Sequence, residues 1–190
     1  TIHLPSGECF DCTVPLPGAH MVSNALSGAA VGYNLDLTAE EIKAGIEHLP
    51  SIPGRGAIIS TDKLVILDDC YNANPVSMKA SMDVLDLAIG RKVAVLGDMG
   101  ELGDDASRMH YETGAYASKK GIDLVCAIGT LGKEIAAGAS DSGVKEVLWF
   151  ETKADFLAAA SEFLKDGDNV LVKASHGMHL EEIVEALQHL

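Results

Sequence analysis

Val93-Ala94-Val95-Leu96-Gly97 and Leu124-Val125-Cys126-Ala127-Ile128-Gly129 decide the fold: each is an unbroken apolar run closed by glycine. Between them, over about 105–120, the apolar residues recur at helical spacing. A strand that is apolar at successive positions offers hydrophobic side chains to both faces of its sheet, so both faces must be covered. The alternation extends outward from this pair. Upstream lie a strand at Leu64–Leu67 and a helix over about 76–89. Downstream come a helix near 131–138, a strand at Val147–Phe150 and a helix over about 153–165. A strand at Val170–Val172 and a terminal helix over about 179–189 complete the series. Strands alternating with helices, joined by right-handed crossovers, predict an α/β three-layer αβα sandwich, Rossmann-like in outline, with a mainly parallel sheet.

Ala57-Ile58-Ile59-Ser60 precedes the first parallel strand across Thr61-Asp62-Lys63, the pattern of a hairpin. Before it, Ser51-Ile52-Pro53-Gly54 reads as a linker, so the chain is expected to divide into 1–52 and 53–190. The first part opens irregularly and then carries Val14-Pro15-Leu16-Pro17-Gly18, which the prolines keep out of a helix. His20–Tyr33 follows as a small-residue helix with Val22, Ala25, Leu26, Ala29 and Ala30 at helical spacing. Thr38-Ala39-Glu40-Glu41 is a capping box, and the helix it opens carries Ile42, Ile46 and Leu49 up to Pro50. Two helices and one extended piece bury little apolar area, so this part is expected to dock on the rest or to be the tail of a larger domain.

The chain has 190 residues, 47% of them hydrophobic and 22% charged, the composition of a folded domain that needs no disulfide or metal staple. Fourteen basic residues against 28 acidic ones leave a net charge of −14, which argues against a nucleic-acid partner. No apolar run approaches the ~20 residues of a membrane span, and the N-terminus has no signal-peptide pattern. A cytoplasmic protein that uses no membrane is expected, and the absence of an initial Met suggests a piece cut from a longer chain. Cys9 and Cys12 form a C-x-x-C with no second pair and no helix opening behind it, so neither a metal site nor a redox pair is expected.

In an open α/β sheet, ligands bind beyond the carboxyl ends of the strands. Three loops at such ends are polar: Asp68-Asp69-Cys70-Tyr71-Asn72-Ala73-Asn74-Pro75, Gly97-Asp98-Met99-Gly100-Glu101-Leu102-Gly103 and Lys173-Ala174-Ser175-His176-Gly177-Met178-His179. They are expected on one edge of the sheet, although Asn and Gly are also ordinary turn residues. There is no G-x-x-x-x-G-K-[ST], hence no P-loop. The G-x-x-G-x-x-G of Gly97, Gly100 and Gly103 is not the dinucleotide fingerprint, and Asp98 would repel a pyrophosphate. No G-x-S-x-G nucleophile elbow occurs. A phospho-acceptor receiver is disfavoured because Gly129-Thr130 stands where its acceptor aspartate belongs and Lys173 is not followed by Pro.

Leu67-Asp68-Asp69-Cys70-Tyr71-Asn72-Ala73-Asn74-Pro75-Val76-Ser77-Met78 resembles a signature of the Mur ligases, in the form carried by the branch that adds D-alanyl-D-alanine. Val95-Leu96-Gly97-Asp98-Met99-Gly100-Glu101-Leu102-Gly103 is similar to a second signature of that branch. Pro17-Gly18-Ala19-His20-Met21-Val22-Ser23-Asn24-Ala25 is similar to the family's G-x-H-x-x-x-N-A segment, and Pro53-Gly54-Arg55 to the opening of its C-terminal domain. The resemblance implies that residues 1–52 end the central ATPase domain and that 53–190 are the C-terminal domain. The P-loop, the UDP-sugar domain and most of the Mg2+ site would then precede Thr1.

The implied reaction is ATP-dependent amide formation in peptidoglycan precursor synthesis, joining UDP-N-acetylmuramoyl-tripeptide to D-alanyl-D-alanine, with ATP and Mg2+ required. The chain alone is expected to be inactive, and the full-length enzyme a monomer. Carried over by position, Asn24 would meet adenine with His20 nearby, Asp69 would accept from the ribose hydroxyls and Arg55 would reach the ribose–phosphate side. Asn72 and Asn74 would shape the same loop and touch ATP or the incoming dipeptide. Lys173, Ser175 and His176 would meet the dipeptide, with His176 where the family often carries Arg. The alternatives are another ligase of the superfamily, such as folylpolyglutamate synthase, or a non-catalytic αβα binding module.

Overall fold

A computed structural model describes all 190 residues, in two units: Thr1–Ser51 and Ile52–Leu190. In the first unit, β1 (Ile2–His3) pairs antiparallel with β2 (Cys9–Phe10), ahead of α1 (His20–Asn34) and α2 (Ala39–Glu47). Its core is Ile2, Leu4, Ala25, Ala29, Ala39, Ile42 and Ile46. The capping box forms: Thr38 Oγ1 accepts from the Glu41 amide at 3.2 Å, and the Glu41 carboxylate accepts from the Thr38 amide at 2.8 Å. The Thr38 amide and the Thr38 hydroxyl, both donating to the Glu41 carboxylate, hold it below its ordinary range.

Three expectations for this unit change. The opening is not wholly irregular, because two-residue strands are too short to show a period in sequence. On α1 the buried stripe runs through Ala25, Ala29 and Gly32, whereas Val22, Leu26 and Ala30 are exposed. Helical spacing allows either stripe. The small one is buried because Ile42 Cγ1 comes within 3.0 Å of where a Cβ on Gly32 would stand. Leu49 lies beyond the end of α2 and is exposed.

The second unit is built on a six-stranded sheet in the order β3-β4-β8-β5-β6-β7. Its strands are β3 (Ala57–Ser60), β4 (Val65–Asp68), β5 (Lys92–Gly97), β6 (Leu124–Ile128), β7 (Glu146–Phe150) and β8 (Asn169–Lys173). Only the β3–β4 hairpin is antiparallel; every other pair is parallel. All five residues of β6 are buried, as its apolar run requires. The helices are α3 (Pro75–Asp86), α4 (Ala106–Ser118), α5 (Gly132–Asp141), α6 (Lys153–Phe163) and α7 (Glu181–Leu187).

Met78, Met82 and Leu85 of α3, Ala117 of α4, and Ile135 and Ala139 of α5 share one core with Ala94, Leu96, Val125, Ala127 and Leu171 of the sheet. Phe156 and Ala160 of α6 and Ile183, Val184 and Leu187 of α7 share the other, with Val93, Val95, Cys126, Val170 and Val172. The two cores lie on opposite faces of the sheet, which makes the three layers. Helices α4 and α5 cross backbone to backbone: a Cβ on Gly114 would stand 1.9 Å from the Ile135 carbonyl oxygen, and one on Gly138 2.0 Å from that of Tyr111.

At the N-terminal end of β8, Asp168 is 1% exposed. Its Oδ2 accepts from Arg91 Nη1 at 2.8 Å and from the Lys165 amide at 2.9 Å, while Arg91 Nη2 reaches Glu146 at 2.9 Å. This cluster ties the starts of β8, β5 and β7 together. No helix is long and apolar enough to cross a membrane.

Candidate functional site

Strand β8 lies between β4 and β5, and the helix that follows it, α7, covers the opposite face from α3 and α4, which follow its neighbours. The direction of winding therefore reverses on both sides of β8. Loops leaving adjacent strands toward opposite faces open a crevice at their carboxyl ends. The three polar loops singled out in the sequence leave β4, β8 and β5, side by side.

The loop after β4 is held from three directions. Asp68, the last residue of the strand, is buried; its Oδ2 accepts from the Gly54 amide at 2.7 Å and its Oδ1 from the Cys70 thiol at 3.0 Å. Burial and the Asp68 carboxylate push the Cys70 thiol well above its ordinary range. The Tyr71 amide donates to the Gly54 carbonyl at 3.0 Å. Gly54 has φ +76° and a Cβ there would meet Tyr71 at 3.1 Å, so glycine is required. Arg55 follows at once, and its guanidinium lies 4.0 Å from the centre of the exposed Tyr71 ring. On Tyr71 the His176 ring packs at 5.1 Å, and His179 lies 5.6 Å beyond His176.

Asp69 stands one step past the register pair Asp68–Val172, beside Lys173 at the end of β8. Its Oδ2 accepts from Lys173 Nζ at 2.6 Å and from Ser81 Oγ, on α3, at 2.5 Å. Lys173 Nζ also donates to the carbonyls of Asn72 at 3.0 Å and Asp69 at 3.4 Å. Lys173 and Ser81 are 2% and 3% exposed, whereas the Asp69 side chain is 21% exposed. Asn72 Oδ1 accepts from the Ala73 amide, and Asn74 is the N-cap of α3, exchanging hydrogen bonds with Ser77 in a capping box.

The loop after β5 is fastened to the loop after β8. The Ser175 amide donates to the Asp98 carbonyl at 2.9 Å, and Ser175 Oγ accepts from the Gly100 amide at 2.8 Å. From beneath, His110 of α4, fully buried, accepts from the Met99 amide through Nε2 at 2.8 Å. Its Nδ1 is 2.6 Å from the Ala106 carbonyl, so the neutral Nδ1–H tautomer satisfies both bonds. The Asp98 carboxylate lies over Gly129, where a Cβ would stand 2.6 Å from Cγ, and Asp98 Oδ1 is buried without a donor.

Of the residues chosen from sequence, Arg55, Asp69, Asn72, Lys173, Ser175 and His176 belong to this interlinked set, and Asn74 caps the helix that the first loop enters. His20 and Asn24 lie in the first unit: both are exposed on the first two turns of α1, and the Asn24 amide is 3.4 Å from the Met21 sulfur. Sequence reading missed Tyr71 as the ring between Arg55 and His176, His110, and Ser81. The only signal for Ser81 was a lone hydroxyl beside Met78 and Met82, on the buried face of a helix. Chemically the crevice offers an outward carboxylate oxygen, an arginine on an aromatic plate, and a hydroxyl and an imidazole on the facing loop. No group of three or more His, Cys, Asp or Glu side chains converges in a way that could hold a metal ion.

Residues 54–176 match the family described as Mur ligase, glutamate ligase domain. The chain is 37% identical over 191 residues to the UDP-N-acetylmuramoyl-tripeptide–D-alanyl-D-alanine ligase of Escherichia coli, covering 99% of this chain and 41% of that protein. A crystal structure of MurF from Acinetobacter baumannii is similar at TM-score 0.86 and 31% identity, over 99% of this chain and 42% of that one. MurF from Thermotoga maritima, solved in complex with ADP, is similar at TM-score 0.77 and 25% identity, over 92% of this chain and 39% of that one. The chain thus spans about two fifths of the length of the relatives it matches.

Proposed function

The chain belongs to the Mur ligase family, and from that premise we propose that it is the C-terminal part of a ligase that joins D-alanyl-D-alanine to UDP-N-acetylmuramoyl-tripeptide at the expense of ATP. The reading carries with it a place in cytoplasmic peptidoglycan synthesis. One observation carries it: the two signature loops and the Lys173 loop leave three adjacent strands at the reversal of winding and are hydrogen-bonded into one surface. The names of the relatives, and the ADP bound by one of them, support the choice of substrates.

In this reading the tripeptide carboxylate takes the γ-phosphoryl group of ATP, releasing ADP and giving an acyl phosphate; the dipeptide amine then attacks the carbonyl carbon, and phosphate leaves as the amine loses a proton. The residues of this chain bind and orient. Asp69 Oδ1 faces solvent and has no protein donor, which suits an acceptor for ribose hydroxyls. Arg55 keeps its planar fork on the Tyr71 ring, free to meet the ribose–phosphate side. His20 and Asn24 of the first unit are the proposed adenine contacts. Asn72 and Asn74 act on the loop itself, one through its carbonyl on Lys173 and the other as a helix cap. Ser175, whose hydroxyl proton has no acceptor in the protein, and the exposed His176 ring are the groups left to meet the dipeptide. The phosphate grip and the Mg2+ ligands are assigned to the remainder of the ligase.

The test is ADP release with ATP, Mg2+, UDP-N-acetylmuramoyl-tripeptide and D-alanyl-D-alanine. The full-length ligase containing this chain is expected to turn over, and the 190 residues alone are not. Turnover by the 190 residues alone, or none by the full-length protein, overturns the reading.

A further inference from the structure

We infer that Lys173 and Ser81 are positioning residues for the nucleotide: they pin Asp69 so that one carboxylate oxygen always faces the ribose, and Lys173 does not meet the dipeptide. The inference rests on the reading of Asp69 as the ribose acceptor. The χ2 torsion of an aspartate is broad and roughly two-fold, so an unrestrained carboxylate exchanges its oxygens freely. Here Oδ2 is held by the Ser81 hydroxyl and the Lys173 ammonium at 2.5 and 2.6 Å, from two different elements, α3 and β8; the single Ser81 proton goes to this charged acceptor rather than to the Ser77 carbonyl 2.8 Å away, because the carboxylate makes the stronger bond. Oδ1 has no protein donor and is not enclosed.

Lys173 has no capacity left for a substrate carboxylate. Its three N–H bonds have three acceptors, Asp69 Oδ2 and the carbonyls of Asn72 and Asp69, and the residue is 2% exposed. A dipeptide carboxylate would have to displace Asp69 to reach it. The pairing also answers an electrostatic problem. An acidic chain of net charge −14 must bring a carboxylate close to a triphosphate. A buried ammonium against Oδ2 cancels that charge locally while leaving Oδ1 its lone pairs, so the acceptor remains and the repulsion falls.

The test uses the full-length ligase with K173M, S81A and D69N. It measures kcat/KM for ATP and for 2′,3′-dideoxy-ATP, and KM for D-alanyl-D-alanine at saturating ATP. Wild type is expected to prefer ATP over the dideoxy nucleotide, and D69N to lose that preference. K173M is expected to raise the KM for ATP about tenfold and S81A about threefold, the scale of one lost hydrogen bond. Both should reduce the ribose preference toward that of D69N, with the dipeptide KM little changed. General loosening would weaken both nucleotides equally and leave the preference intact. If K173M does not fold, S81A alone must still show the reduced preference. A preference that D69N removes but S81A and K173M leave intact overturns this inference alone, as does a K173M defect confined to the dipeptide KM. A wild type that does not distinguish the two nucleotides overturns the ribose reading of Asp69 and this inference with it.

Discussion

The two ends of β8 carry two ion pairs built in opposite senses. Before the strand, Asp168 is 1% exposed and the Arg91 side chain 18%: the anion is enclosed and the cation looks out, toward Glu146. After the strand, the Lys173 side chain is 3% exposed and Asp69 21%: the cation is enclosed and the anion looks out. Both pairs join β8 to a neighbouring segment. The lower pair leaves its carboxylate nothing to offer a ligand, whereas the upper one turns a carboxylate oxygen toward the crevice. Which partner is buried separates a structural clamp from a binding group, because an enclosed charge must be satisfied by the protein and an open one can exchange water for a ligand.

The contrast makes removal of the outward partner the severe change at each end. R91A leaves Asp168 buried with one amide donor, and is expected to cost about 3–5 kcal/mol in urea unfolding without touching the crevice. D69A leaves Lys173 buried with only carbonyl partners, and should cost about 3 kcal/mol as well as the ribose preference. The opposite removals are milder. K173M leaves a carboxylate that water can solvate, and D168A an arginine still paired with Glu146; each should cost about 1–2 kcal/mol. Equal costs within each pair would remove the asymmetry.

The smallest effect is a thiol probe. Cys70 and Cys126 are buried and burial pushes both thiols well above the ordinary range, so at pH 8 they stay protonated and slow toward Ellman's reagent. In the native chain the reactive thiols should be Cys9 and Cys12, which are exposed and half-buried. Cys70 directly follows Asp69, so D69A should raise its reactivity while R91A leaves it protected. Exposure of Cys70 in R91A would show the two ends to be one cooperative clamp.

Much of this was legible in the chain because it is local. Val93–Leu96 and Leu124–Ile128 are apolar at every position, and the strands fall there. Thr38 and Glu41 announced a cap that needs only four residues to form. The Asp-Asp-Cys-Tyr-Asn-Ala-Asn-Pro string marked the loop that holds Asp69, Tyr71 and the α3 cap. Of the α1 residues at helical spacing, Ala25 and Ala29 are buried and Val22, Leu26 and Ala30 are not; all fit the period, and only the approach of Ile42 selects the small-residue side.

The role of Lys173 was of a different kind. In sequence it is one polar residue after a strand, and only the family resemblance pointed it toward the dipeptide. In the structure its ammonium is spent on Asp69, 104 residues away, because β8 inserts between β4 and β5 and sets the two side chains in adjacent register. Periodicity, caps and signature strings are properties of neighbouring residues, so the elements, the sheet type and the loops that form the crevice can be read along the chain. Strand order and register are set by the summed burial of both sheet faces, so it takes the folded sheet to fix which charge is enclosed, which oxygen faces outward and which groups remain free for a ligand.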